Sequence, residues 1–381
     1  MKLLFILLAF PIIGFGQNVN IPDANFKAYL VGNTAINTNG DNQIQVSEAS
    51  VYNGAIYCSF MNISNLTGIE AFVSLTSLDC NNNLTSLNVS TCTALTDLNC
   101  SGNQLTSLNV SSFTALTNLN CSGNQLTSLD VTSCTALWHL DCYNNQLTSL
   151  DVSSCTALTY LDCDGNQLNS LDVSGCTALT GLHCEGNQLT SLDVSSCTAI
   201  GALYCYDNQL TSLDVSSCTA LGLLYCHNNQ LTSLDVKNGY NINMPSVFDP
   251  PFGYNHAFLA YNNPNLSCIE VDNVAWSTAN WPNIDSTAYF SLNCSGAGIS
   301  DINESNTLMI YPNPTNGDFT ITGLELVGTV SSLSLTDMNG KVVKVLDPKA
   351  TKFSMASIKP GVYFLNIISG NKQEVIKIVK E

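Results

Sequence analysis

The residues with chemistry to offer sit at fixed offsets. Asp162 and Asp164 are followed 21 positions later by His183 and Glu185, and this set of three carboxylates and an imidazole suits a divalent cation or acid/base work. At matching offsets around them come His139, Tyr143, Tyr160, Tyr204, Tyr206, Tyr225 and His227. Such side chains stack against a ligand and hydrogen-bond to it. No nucleophile paired with a base and no catalytic spacing accompanies them, so a hydrolase is the third choice of function class. The 17 cysteines include no CxxC pair, which argues against a metal-thiolate centre.

A second cation candidate lies near the N-terminus. In INTNGDNQIQVSE, residues Asn37, Asn39, Asp41, Gln43 and Glu48 fall at positions 1, 3, 5, 7 and 12 of a calcium loop, with Ile44 at the apolar eighth. Asn37 stands where Asp is usual and Asn42 where Gly is usual. The competing reading is a metal-free turn beside a helix over ANFKAYLV, capped by Asp23.

What positions the first set is a repeat. A 21-residue unit, LTSLDCxxNQLTSLDVSSCTA, recurs from about Leu75 to Asp235. Its spacing of leucines is that of leucine-rich repeats, in which each repeat is one coil of a solenoid carrying one short strand. The inward strand pairs are Leu78/Cys80, Leu98/Cys100, Leu119/Cys121, Leu140/Cys142, Leu161/Cys163, Leu182/Cys184, Leu203/Cys205 and Leu224/Cys226. With looser matches at Ile56/Cys58 and at Leu259/Tyr261, the count is ten coils, the outer two degenerate because they cap the ends. Trp276, Trp281 and Tyr289 are expected to lie over the last coil.

Other columns follow from the same alignment. Asn83, Asn103, Asn124, Asn145, Asn166, Asn187, Asn208 and Asn229 are expected to satisfy backbone groups at the bend after each strand. Asp130, Asp151, Asp172, Asp193, Asp214 and Asp235 are expected to accept backbone N–H groups of the next turn, with Ca²⁺ along this ladder as the alternative. A second cysteine column (Cys92, Cys134, Cys155, Cys176, Cys197, Cys218) has Phe113 in one coil, so the position wants apolar volume. Both cysteine columns therefore read as reduced core, with ladder disulfides the lesser alternative. Cys268 and Cys294 lie outside both columns, flank the terminal cap and form the one expected disulfide.

Because side chains alternate along a strand, the residues between the inward pairs share an outer face. There the first three coils carry small polar residues, and from the fourth onward the face fills with Tyr, His, Asp and Glu. A binding surface is expected at His139, Tyr143, Tyr160, Asp162, Asp164, His183, Glu185, Tyr204, Tyr206, Tyr225 and His227 on the concave sheet. The competing reading is drift among β-favouring, soluble residues.

Charge and leader narrow the setting. The chain has no arginine and no basic residue between Lys27 and Lys237, which excludes nucleic acid and anionic membrane as partners. Lys2 and the apolar run LLFILLAFPIIGF read as a signal peptide over 1–16, shorter than the roughly 20 residues of a membrane span. No transmembrane segment is expected after its removal.

Residues 17–55 then form an N-terminal cap, 56–295 the solenoid with its C-terminal cap, 296–307 a small-polar linker and 308–381 a separate module. In that module alternation of period two, with Asn339-Gly340 and Gly370-Asn371 as hairpin signals, predicts a small all-β sandwich.

Two resemblances follow from these residues. The repeats over 56–294 resemble bacterial leucine-rich-repeat proteins of the internalin-like kind. Tyr311-Pro312-Asn313-Pro314, Asp337-Met338-Asn339-Gly340-Lys341, Gly361-Val362-Tyr363 and Lys377-Ile378-Val379-Lys380, in that order, make residues 308–381 similar to the C-terminal sorting domain of the type IX secretion system of Bacteroidetes. That resemblance implies export across both membranes through the type IX machinery, removal of the tail, and release or attachment at the cell surface. The function expected is non-enzymatic recognition of an extracellular macromolecule, a protein first and a polysaccharide second.

Overall fold

A computed structural model of the chain describes residues 16–81, 83–239, 241–244, 257–294, 309–322, 330–338, 340–369 and 372–381. The expected signal peptide up to residue 15, the linker and the turn residues Asn339, Gly370 and Asn371 lie outside the described residues. The chain divides into two compact units, Met1–Ser295 and Gly296–Glu381.

In the first unit, ten short strands form one parallel sheet in chain order, from Ala55–Tyr57 through Ser77–Asp79 to Leu223–Tyr225 and Phe258–Leu259. The register is one coil to the next without slip: Leu140 pairs with Leu161, Leu161 with Leu182, Leu182 with Leu203. Each central leucine is buried, as is each following cysteine, and all belong to one continuous core. Fully burying a leucine contributes about 1.5–3 kcal/mol, so each coil depends on its neighbours to cover its apolar side.

The backbone at each bend is satisfied by asparagine. Asn166 donates from Nδ2 to the carbonyls of Cys142 (3.0 Å), Cys163 (3.1 Å) and Asp164 (3.2 Å), and its Oδ1 accepts the N–H of Leu147 (3.0 Å). One side chain thus closes its own turn and clamps the preceding coil. Asn103, Asn124, Asn145, Asn187, Asn208 and Asn229 donate to the equivalent three carbonyls, the cysteine of the preceding coil and two of their own coil. Asn83 does not join this column. Its coil is one residue shorter, and Asn83 lies exposed in the left-handed region at φ 68°. The column continues instead at Asn263, which donates to Cys226 and Ala260 and accepts from Leu231.

Asn263 also corrects the terminal coil. Tyr225 pairs with Leu259 and Leu224 with Phe258, so Phe258 and Ala260 point inward and Leu259 and Tyr261 face out. The expected pair was one residue out of register, and a slip of one exchanges the two faces of a strand. Tyr289 needs the same correction. In strand Tyr289–Ser291, Phe290 pairs with Ile269 and is buried, while Tyr289 is 54% exposed. Trp281 is the buried closing residue, stacked on Phe258 with centroids 4.4 Å apart.

The other end is closed by helix Ala24–Gly32, whose N-cap Asp23 accepts the N–H groups of Asn25 and Phe26 and whose Phe26 and Leu30 enter the core. Cys268 and Cys294 are joined by a disulfide that ties the strand Cys268–Glu270 to the end of the unit. The remaining 15 cysteines form no disulfide and are buried. In the second column the thiols from Cys134 onward donate to the valine carbonyl of the preceding coil, as Cys176 does to Val152 (3.5 Å) and Cys197 to Val173 (3.4 Å), and Cys92 donates to the Ile69 carbonyl.

The second unit is antiparallel. One sheet holds Met309–Tyr311, Asp318–Thr322 and Lys352–Ser354, and the other Val342–Leu346, Ser332–Thr336, Gly361–Ser369 and Lys372–Lys380. Phe319, Ile321 and Phe353 from the first pack with Leu333, Leu335, Leu365, Ile367 and Ile378 from the second in one core. The buried amine of Lys380 donates to the carbonyls of Met355 and Ile358.

Candidate functional site

Parallel registration places the outward residues of neighbouring coils about 4.8 Å apart, a distance at which planar rings stack. His139 lies on Tyr160 with centroids 4.8 Å apart and planes 10° from parallel, and His183 on Tyr204 at 4.2 Å and 24°. Tyr160 meets His183 at 5.4 Å, and Tyr204 meets Tyr225 edge-on at 5.0 Å. Five successive strands of the sheet are thereby bridged by one ring array. A second row runs Tyr206, His227, Tyr261, both steps stacked at 4.6 Å. Gly181 makes room for the first row, since a Cβ there would stand 3.0 Å from Cδ2 of Tyr160.

The array is not uniformly open. Tyr225 is 2% exposed, His227 6% and Glu185 7%, which corrects the expectation that these three present themselves to solvent. Leu223, Tyr225, Ala257 and Leu259 form a small apolar cluster of their own on the outer face, flanked by Tyr204, Tyr206 and Tyr261. His139, Tyr143, Tyr160, Asp162, Asp164, His183, Tyr204 and Tyr206 are half-buried and accessible.

Carboxylates sit between the rings. Asp141 holds the His139 Nε2 at 3.1 Å, and the Asp162 carboxylate accepts the N–H of Asp164 at 3.1 Å. Glu185 Oε1 stands 3.7 Å from His183 Nδ1, and its Oε2 is buried without a hydrogen-bond partner. Burial, reinforced by Glu185, pushes Asp164 up to about 6. Burial likewise raises Asp162, with Glu185 and Asp141 adding to it and the Asp164 N–H and His183 opposing. On His183, burial disfavours the charge, but Glu185, Asp162 and Asp164 outweigh it and the imidazole pKa is raised. His227 is pushed down by burial, with Asp207 and Glu185 opposing.

No lysine or arginine of the repeats offsets this crowding, and His183 is the group that opposes it. From residue 296 on, eight lysines balance eight carboxylates, so the whole net charge of −18 belongs to the residues before it.

The exposed aspartate ladder is a different kind of feature. The Oδ1 of Asp151, Asp172, Asp193 and Asp214 each accepts the N–H two residues on, at 2.8–3.0 Å. Asn88 and Asn109 accept the same bond in earlier coils, so the position requires an acceptor and not a charge. Hydrogen bonds from the turn serine lower the carboxyl of Asp151 and of Asp172.

In the N-terminal loop, Glu48 accepts from Thr38, Asn39 and Gln45, and Asp41 accepts from Gln43, Asn39 and Gln45. Gln43 takes the Lys27 amine at 2.9 Å, and Asn37 donates to Val31 and Asp41. These side chains act as caps and turn closures, while the Asn37 Oδ1 is buried without a hydrogen-bond partner. Among the described residues no group of three or more His, Cys, Asp or Glu is arranged to hold a metal ion.

One exposed residue escaped the sequence reading. Trp138, 45% exposed, occupies the column held by Thr117 and Thr159 in adjoining coils. Its ring meets His139 at 5.5 Å and borders a shallow groove of about 230 Å³ lined also by Asp97, Asn118, Asn120 and Asp141. The break in an otherwise Thr-or-Gly column was the available signal.

Comparison with known proteins agrees with this architecture. Residues 309–381 match the family described as secretion system C-terminal sorting domain. Residues 41–145 match the leucine-rich-repeat domain of the endo-beta-N-acetylglucosaminidase EndoS, and 135–175 match a two-copy leucine-rich-repeat family. Among solved structures, the functional domain of InlJ from Listeria monocytogenes, described as including a cysteine ladder, is 23% identical with a TM-score of 0.39, covering 96% of this chain and 99% of its own. An internalin, InlF, from the same species is 17% identical at TM-score 0.31, covering 72% and 98%. The leucine-rich-repeat domain of APL1B is 18% identical at 0.40, covering 60% and 87%. No curated protein sequence matches the chain. The chain is a leucine-rich-repeat protein carrying a type IX sorting domain, and it is secreted or displayed at the cell surface. The sorting domain implies the type IX secretion machinery as a partner, and no described helix is long and apolar enough to cross a membrane.

Proposed function

We propose that the exported solenoid is a non-enzymatic recognition protein that binds an extracellular protein through the outer face of its long sheet. The observation that carries this reading is the ring array across five successive strands, made of residues that vary from coil to coil while the leucine, cysteine and asparagine columns stay fixed. Half-buried tyrosines held in stacks offer large contact area with their rotamers already ordered, which lowers the entropic cost of binding. The contact residues are His139, Tyr143, Tyr160, Asp162, Asp164, His183, Tyr204 and Tyr206, with Glu185 set among the acids and Tyr225 and His227 buried beside the rings. Catalysis is not part of this reading, because the carboxylates stand side by side on one open sheet face and not across a water-excluding cleft.

A polysaccharide is the second reading, favoured by the Trp138 groove, where an exposed indole adjoins Asn118, Asn120 and Asp141. An indole face beside amides and carboxylates suits sugar stacking and hydroxyl binding.

Capture of extracellular proteins on immobilised full-length chain, run beside a glycan array, tests both. A captured protein whose retention falls at least tenfold with Tyr204→Ala/Tyr206→Ala supports the first reading. Glycan binding lost with Trp138→Ala supports the second. Cleavage of any arrayed glycan or captured protein would replace both with a hydrolase.

A further inference from the structure

Resting on that recognition reading, we infer that the Asp162, Asp164 and Glu185 cluster is a seat for a cationic side chain, lysine or arginine, presented by the partner protein. Three observations converge. Glu185 is over nine-tenths buried, yet its Oε2 has no hydrogen-bond partner, and its Oε1 is 3.7 Å from His183, beyond hydrogen-bonding length. A buried carboxylate oxygen left unpaired costs free energy that a donor from outside would recover.

The neighbours are acids and rings. Asp162 registers beside His183, which places Asp164 next to Glu185 one strand away, and Asp141 registers beside Asp162. Tyr160 and Tyr204 flank His183 on either side in the stack. Carboxylates bordered by aromatic faces match an alkylammonium or guanidinium, which pairs with the acids and lies against the rings. Burial and mutual repulsion raise Asp162 and Asp164 despite the opposing His183, as expected of carboxylates that this one imidazole does not neutralise.

The third observation is charge complementarity on a larger scale. With no lysine or arginine between Lys27 and Lys237, the His183 imidazole is the group that competes for these acids, and the −18 of the first unit draws cations toward it. A divalent metal fits less well, because the acids are spread over adjacent strands and make no closed ligand set among the described residues.

The test is calorimetric titration of the full chain at pH 8 and 150 mM salt with heptalysine, with heptalysine acetylated on every side chain, and with Ca²⁺. Heptalysine should bind, the acetylated peptide should not, and Glu185→Gln and Asp162→Asn/Asp164→Asn should each weaken binding at least tenfold. Asp151→Asn/Asp172→Asn, in the exposed ladder, should change it less than twofold. Equal loss from the ladder variant, which would reveal only general attraction to a negative chain, overturns the inference. So does indifference to both Glu185→Gln and Asp162→Asn/Asp164→Asn, or Ca²⁺ binding tighter than heptalysine and dependent on Glu185. If a captured partner depends on Tyr204 and Tyr206 while heptalysine ignores Glu185, recognition by the rings stands and the cation seat falls.

Discussion

Asp164 gives the cluster a measurable sign. Its folded pKa of about 6 lies above the ordinary 3.8, through burial and the facing Glu185 and Asp207, with His183 opposing. A carboxyl whose pKa rises on folding favours the folded state when protonated, so its contribution is complete below about pH 4 and is lost as pH climbs through 6. Asp162 acts in the same direction. Asp164→Asn should therefore raise stability at pH 8 by about 1 kcal/mol, after discounting for solvent screening, and leave it unchanged at pH 4. Melting curves of both proteins at the two pH values check this, and a variant stabilised equally at both would contradict the assignment. The thiols make a second prediction. Burial pushes Cys100 and Cys226 up to about 12 and Cys134 and Cys218 up to about 11. Thiolate is the reactive form, so iodoacetamide at pH 8 should leave the 15 cysteines outside the disulfide unlabelled in the native chain and modify all of them in denaturant. Labelling of several before unfolding would mean that the columns open to solvent.

The coil is the element at which these residues become structure, and its asparagine is its most exacting part. Asn166→Ala would strand the Leu147 N–H and take away one of the two asparagine donors on each of the carbonyls of Cys142 and Cys163, at a cost of about 3 kcal/mol. Asp130→Asn should cost nothing measurable, since Asn88 and Asn109 already do the same work. Chemical denaturation of the two variants separates a buried clamp from an exposed turn. These columns were legible in the sequence because a strict period makes each residue's environment repeat. Legibility failed wherever the period broke. Asn83 sits in the coil that is one residue short, so equal distance from a cysteine did not mean equal place. At the last coil a pattern of apolar residues suggested Leu259 and Tyr261 as the inward pair, whereas Asn263 three residues after Ala260 fixes the register as Asn229 does after Cys226. The outer face was readable as a set of residues but not as a surface. Alternation says that Tyr225 and His227 point away from the core, and only coordinates show that Leu223, Leu259 and Tyr261 close around them.

At the scale of the whole molecule, the repeats make stability nearly additive along the axis, because each coil touches only its neighbours. Removing residues 101–121 deletes one full coil and joins Cys100 to Ser122, restoring the Cys-Ser-Gly-Asn sequence that follows both Cys100 and Cys121. The shortened chain should fold with the same strand signature by circular dichroism and lose stability by a few kcal/mol, one coil's share of core burial. The face from His139 to His227 keeps its internal register, so heptalysine binding should stay within twofold of the parent. Export belongs to the other unit, whose core is separate, and should also be unchanged in a cell that runs type IX secretion. Deleting residues 308–381 should do the reverse, leaving the solenoid folded and competent to bind but held in the periplasm. Fractionation with a binding assay on each fraction separates the two outcomes. Surface display of the truncated chain would show that the tail is not its address, and loss of binding by the chain lacking residues 101–121 would show that recognition reaches beyond the ring-bearing coils into the small polar ones.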